Sequence, residues 1–123
     1  MTTVFTEEAH AGEFILSEAN GGRSRDSANV SVGQDLLAGT VVMLGGSDTL
    51  VAWTGDEITN GLEDEAVGVL IAPIDTSSTG LNAVALAAYI SRDAEVNLNL
   101  LTYPAGTQAR MIQSLALRGI VCR

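Results

Sequence analysis

Thirteen glycines cut this chain of 123 residues into short apolar runs. Several of those runs alternate apolar and polar side chains, the period of a half-buried strand. Ala28-Asn29-Val30-Ser31-Val32 alternates, and so do Val96, Leu98 and Leu100 with Asn97 and Asn99 between them. Gly33 and Gly39 bracket a tight connection. Thr40-Val41-Val42-Met43-Leu44 is a continuous apolar strand closed by Gly45-Gly46, and Leu50-Val51-Ala52-Trp53 follows across Ser47-Asp48, which predicts a hairpin. Glycine supplies the positive-φ turns that such a succession of strands needs.

Further strands are expected at Phe14-Ile15-Leu16, before the turn at Asn20-Gly21-Gly22, and at 66–72, 95–102 and 120–122. Residues 82–90 are rich in alanine, but Val84, Leu86, Ala88 and Ile90 alternate, which favours a strand over a helix. Tyr103-Pro104-Ala105-Gly106 breaks the chain as a turn that could carry a cis bond. A helix follows, with Thr107 as N-cap, Met111, Ile112, Leu115 and Ala116 on its apolar face, and Gly119 past its end. The expected class is mainly β with one or two short helices, an α+β domain.

Length and aromatic content limit the core. A chain of this size forms one domain, burying roughly 65% of the surface its unfolded form exposes. Only Phe5, Phe14, Trp53, Tyr89 and Tyr103 are aromatic, so the interior must be built from Val, Leu, Ile and Ala. Trp53 reads first as a core residue and second as a subunit-interface residue. Tyr103 and Pro104 read in the same two ways.

Charge excludes whole classes of partner. There is no lysine, and six arginines face fifteen acids for a net charge of -9. No basic face can then displace counterions from nucleic acid or bind an anionic membrane surface. No apolar run is long enough to cross a bilayer as a helix, and the acidic first residues do not read as a secretion signal. Cys122 is the single cysteine, which excludes an internal disulfide and fits a reducing compartment; in its apolar strand it reads as a buried structural thiol.

Catalytic patterns are missing. His10 is the single histidine and lies outside the strand-forming body, so neither a Ser-His-Asp nor a Cys-His arrangement is expected. A structural zinc site needs about four Cys or His ligands. A calcium loop starting at Asp56 would place Gly61 correctly, yet Ile58 and Val67 fall where oxygen ligands are required. The acidic stretch 56–65 therefore reads as a solvated loop. No catalytic, metal or cofactor site is expected.

Residues 1–13 read as an arm and 14–123 as the β-rich body. The arm is acidic, with Glu7, Glu8 and Glu13, and beyond Met1 its sizeable apolar side chains are Val4 and Phe5. Such a segment buries too little to offset an ordering cost of about 1–2 kcal/mol per residue. Val4-Phe5-Thr6 is a β-prone patch suited to adding a strand to a partner's sheet.

One stretch narrows the reading. Leu50-Val51-Ala52-Trp53-Thr54-Gly55 is followed by Glu65-Ala66-Val67-Gly68-Val69-Leu70, then by Asp75-Thr76-Ser77-Ser78-Thr79, Tyr103-Pro104 and an arginine-containing helix ending at Gly119. Upstream stand Ala11-Gly12-Glu13-Phe14-Ile15-Leu16-Ser17, Ser24-Arg25-Asp26 and Val32-Gly33-Gln34-Asp35-Leu36-Leu37-Ala38-Gly39-Thr40-Val41. That succession resembles the head decoration proteins of lambda-like tailed phages and covers nearly the whole chain.

The resemblance implies a compact β-tulip-like domain that forms a homotrimer. It implies trimers at local three-fold positions outside an expanded phage head, clamping capsid subunits against the pressure of packaged DNA. The implied partners are the major capsid protein and the chain itself, with no nucleic acid and no membrane. The implied location is the outer surface of the virion, after host cytoplasm. The capsid-binding arm would use Thr2, Thr3, Val4, Phe5, Thr6, Glu7, Glu8 and His10. Two other classes compete: a small trimeric β-rich nucleotide hydrolase, which needs a metal-positioning motif, and a glycan-binding surface module, which needs exposed aromatic platforms.

Overall fold

A computed structural model describes residues 12–45, 49–55 and 66–123. Its centre is a closed barrel of five strands in the order β2-β5-β4-β6-β8. These are β2 (Arg25–Val30), β4 (Val41–Leu44), β5 (Leu50–Ala52), β6 (Gly68–Leu70) and β8 (Ala85–Ile90). Closure leaves no strand as an outer member of this sheet, which suits short strands that would be marginal alone. The longest pairing is β2 with β8, antiparallel from Arg25↔Ile90 to Val30↔Ala85. The expected hairpin joins β4 to β5, with Met43 opposite Val51.

A second sheet contains the first and last strands. β1 (Ile15–Glu18) runs antiparallel to β9 (Ala94–Val96), and β10 (Ile120–Cys122) runs parallel to β9 on its other side. A small ribbon pairs β3 (Asp35–Leu36), within the segment expected to be a tight connection, with β7 (Ile74–Asp75). Thr76 fixes it: the buried Oγ1 accepts the Gln34 N–H at 2.9 Å and donates to the Ser31 carbonyl at 2.5 Å.

The helix α1 (Gln108–Ala116) appears where expected. Gly119 has φ +75°, the left-handed conformation that ends a helix. Thr107 stands at the N-cap position but does not cap, because its hydroxyl donates to the Pro104 carbonyl at 2.5 Å. The buried stripe is also narrower than expected. Met111, Ser114 and Leu115 are buried, whereas Ala116 is exposed.

The expected strand over 95–102 is a correction. β9 stops at Val96, and Leu98–Leu100 form a 3₁₀ turn. The Asn97 side chain accepts the Asn99 N–H at 3.0 Å, so the alternation continues in a segment that the asparagine has bent out of the ladder. No peptide among the described residues is cis, so the turn at Tyr103-Pro104 is trans. Cys122, expected to be buried, is half-buried in β10.

Two packed clusters fill the interior. One joins Phe14, Trp53, Val69, Ile90, Val96, Met111, Leu115 and Ile120, and so links barrel, helix and second sheet. The other joins Val30, Leu36, Val42, Leu50, Val67 and Leu70 inside the barrel. Phe14, Met111, Leu115 and Ile120 are fully buried. Burying one such side chain contributes about 1.5–3 kcal/mol.

Candidate functional site

The described body begins at Gly12, whose N–H donates to the Ile71 carbonyl at 2.8 Å. Gly12 has φ +71°, which favours glycine, and its carbonyl accepts the Ile15 N–H at 3.0 Å. The chain thus enters β1 through a turn fastened to the end of β6. The expected arm residues Thr2, Thr3, Val4, Phe5, Thr6, Glu7, Glu8 and His10 lie outside the described residues. So does the acidic stretch 56–65.

Gly55 and Ala66, the described residues on either side of that stretch, are both held by one side of α1 and the turn that follows it. Arg110 donates to the Gly55 carbonyl through Nη1. Four residues on, Ser114 Oγ accepts the Ala66 N–H at 2.9 Å, and four further on, Arg118 Nε donates to the Ala66 carbonyl at 3.3 Å. Spacing of four places these three residues in a row along the helix surface.

Trp53 is buried in the cluster that also contains Met111 and Leu115. Tyr103 is half-buried against the same cluster, and its hydroxyl lies 3.3 Å from Gln108 Oε1, to which it donates. Pro104 is half-buried, and its carbonyl holds Thr107. These three residues support the start of α1.

Two ion pairs lie near the start of β2. Arg25 binds Glu18 through Nε at 2.9 Å and Nη2 at 2.8 Å, and this holds the Glu18 carboxyl below the usual range. Arg92 pairs with Asp26, which also accepts the Ser91 hydroxyl at 2.8 Å. Beneath them the fully buried Ser24 donates to the Asp93 carbonyl at 2.7 Å and accepts the Ala19 N–H at 2.9 Å. Burial, and then the Asp26 charge, push the Tyr89 hydroxyl up. Hydrogen bonds from the Ser77 side chain and backbone hold Asp75 down. Among the described residues no group of three His, Cys, Asp or Glu side chains could hold a metal ion.

The other notable surface is uncharged beyond Arg25, which ends it on β2 and is paired with Glu18. On the outward side of β2 and β8, Asn29 stands opposite Leu86 and Ser27 opposite Ala88, and all four are exposed. This arrangement offers a surface for contact and not a pocket for chemistry.

The sequence profile of bacteriophage lambda head decoration protein D matches residues 4–120. The chain belongs to this family. A head decoration protein is a structural component of the phage capsid, and the virion capsid is its location. The match covers the barrel, the helix, the second sheet up to the first residue of β10, and most of the expected arm. No curated protein matches the chain.

Two features of the site escaped sequence reasoning. The row Arg110, Ser114, Arg118 was readable as a spacing of four, but its partners, Gly55 and Ala66, are distant in sequence. The uncharged face was partly readable, because no Asp or Glu occurs between Asp75 and Asp93.

Proposed function

We propose that this protein decorates the outside of the expanded phage head as homotrimers at local three-fold positions. There it clamps neighbouring copies of the major capsid protein against the pressure of packaged DNA. The family match over residues 4–120 carries this reading. The family supplies a capsid role, and a clamp is a mechanical task that suits a small domain built on a closed barrel.

Residues 2–11 make the capsid contact, with Val4-Phe5-Thr6 adding a strand to a capsid sheet. Ordering about ten residues costs on the order of 10–20 kcal/mol, so each arm docks productively only on a pre-formed shell edge. Three arms on one trimer act together, which multiplies a weak contact through effective concentration. The acidic Glu7 and Glu8 match a basic strip of capsid protein, so added salt slows docking.

The test mixes purified protein with undecorated expanded heads and images them. Density at three-fold positions is the expected result. A chain lacking residues 2–11 keeps Gly12 and its bond to Ile71, so it folds but leaves the heads bare. Equal decoration by the truncated chain overturns the arm assignment, and bare heads with the full chain overturn the decoration reading.

A further inference from the structure

We propose that the outward face of β2 and β8, centred on Leu86, is covered by a second copy of this chain. The inference locates the self-contact that the homotrimer reading requires, and it rests on that reading. Leu86 is 69% exposed, and Leu81 and Val84, which lead into β8, are 62% and 51% exposed. A Leu-Val-Leu series this open in the residues leading through one strand is a costly surface to leave in water. Its neighbours Ser27, Asn29 and Ala88 add no charge.

Charge identifies the occupant. A second copy brings another net charge of -9. Two such chains repel unless they meet where neither side presents acids. Residues 76–92 contain no Asp or Glu, although fifteen acids are spread over the rest of the chain. Another exposed leucine on a sheet, Leu16 in β1 at 52%, lies in a segment with Glu13 and Glu18 and beside a strand carrying Glu95. A like-charged copy is disfavoured there. A basic partner would choose the opposite pattern and seek acids.

Geometry fixes the mode of contact. β8 is paired with β2 on one side and β6 on the other in a closed barrel, so a second copy packs through side chains and does not extend the sheet. A charge placed in such a contact is desolvated without a partner, which disrupts it far more than an exposed charge disturbs the fold.

The experiment is analytical ultracentrifugation of the full chain and three variants. Leu86→Glu and Asn29→Asp put a carboxylate on the face, and Leu16→Glu puts one on the second sheet. The wild type is expected to self-associate, with association weakened at least about 100-fold by Leu86→Glu, clearly weakened by Asn29→Asp, and unchanged by Leu16→Glu. If Leu86→Glu fails to fold by circular dichroism, Asn29→Asp decides alone. Wild-type mass for both face variants, or an equal loss in Leu16→Glu, overturns the location while leaving self-association intact. A wild-type chain that remains monomeric overturns both, and bare heads with an intact oligomer overturn only the decoration reading.

Discussion

The backbone N–H of Ala66 donates to Ser114 Oγ at 2.9 Å across 48 residues of sequence, a buried bond that ties the chain just before β6 to α1. Ser114→Ala leaves that N–H buried without an acceptor, at a cost of about 1–3 kcal/mol. The expected fall in Tm is about 4–12 °C by thermal melting. Arg118→Ala removes only a 3.3 Å bond to the same residue's carbonyl and should lower Tm less. Equal effects would show that the clasp does not centre on Ser114.

Gly68 is needed for space and Gly106 for conformation. A Cβ at Gly68 would overlap the Ile90 carbonyl oxygen and stand 2.7 Å from the Tyr89 ring. Gly106 has φ +79° and nothing within 4 Å of a Cβ. Gly68→Ala is therefore expected to cost about 3 kcal/mol or more, because β6 and β8 must separate. Gly106→Ala should cost about 1–2 kcal/mol from backbone strain alone. Urea denaturation of the two variants tests the order.

Acid should weaken the fold through Glu18. Its carboxyl titrates below the usual range because Arg25 hydrogen-bonds to it. A group whose folded value is lowered stabilises fully above its unfolded value, about pH 4.3, and that contribution is lost as pH falls through the folded value. The pair is well exposed, so solvent screening limits its worth to about 0.5 kcal/mol. Asp75, held down by Ser77, shifts stability in the same direction. Glu18→Gln should lower Tm slightly at neutral pH and match the wild type near pH 2. A constant difference across that range would rule the linkage out.

Cys122 should react slowly. Burial pushes its thiol up, so less thiolate is present at mildly alkaline pH than in an unfolded chain. Alkylation at about pH 8 is expected to be at least several-fold slower in native protein than in urea. Equal rates would mean that β10 opens readily.

Much of this was legible before the structure. Alternation marked β8 despite its alanines, the Gly45-Gly46 break marked the β4–β5 hairpin, and Gly119 marked the helix end. All three are local signals. The β3–β7 ribbon was not readable, because its strands are two residues each and are held by Thr76, a contact between segments about 40 residues apart. The end of β9 was missed because Asn97 bends the chain without interrupting the apolar alternation. Parallel pairing of β10 with β9 leaves no local trace at all. For the candidate site, the aromatic residues were readable by type, while the uncharged face needed the pairing of β2 with β8 to bring Asn29 beside Leu86.

The second sheet has a consequence for the order of events during synthesis. It joins the first strand to the last, since β9 lies between β1 and β10. A ribosome-bound chain ending before Ile120 already holds all five barrel strands, yet Phe14 still lacks Ile120, a member of its packed cluster. Contacts of such sequence separation close late and slowly. The last strand is thus added to a sheet whose first pairing, β1 with β9, needs nothing beyond Asn97, and the cluster around Phe14 is complete only once Ile120 arrives.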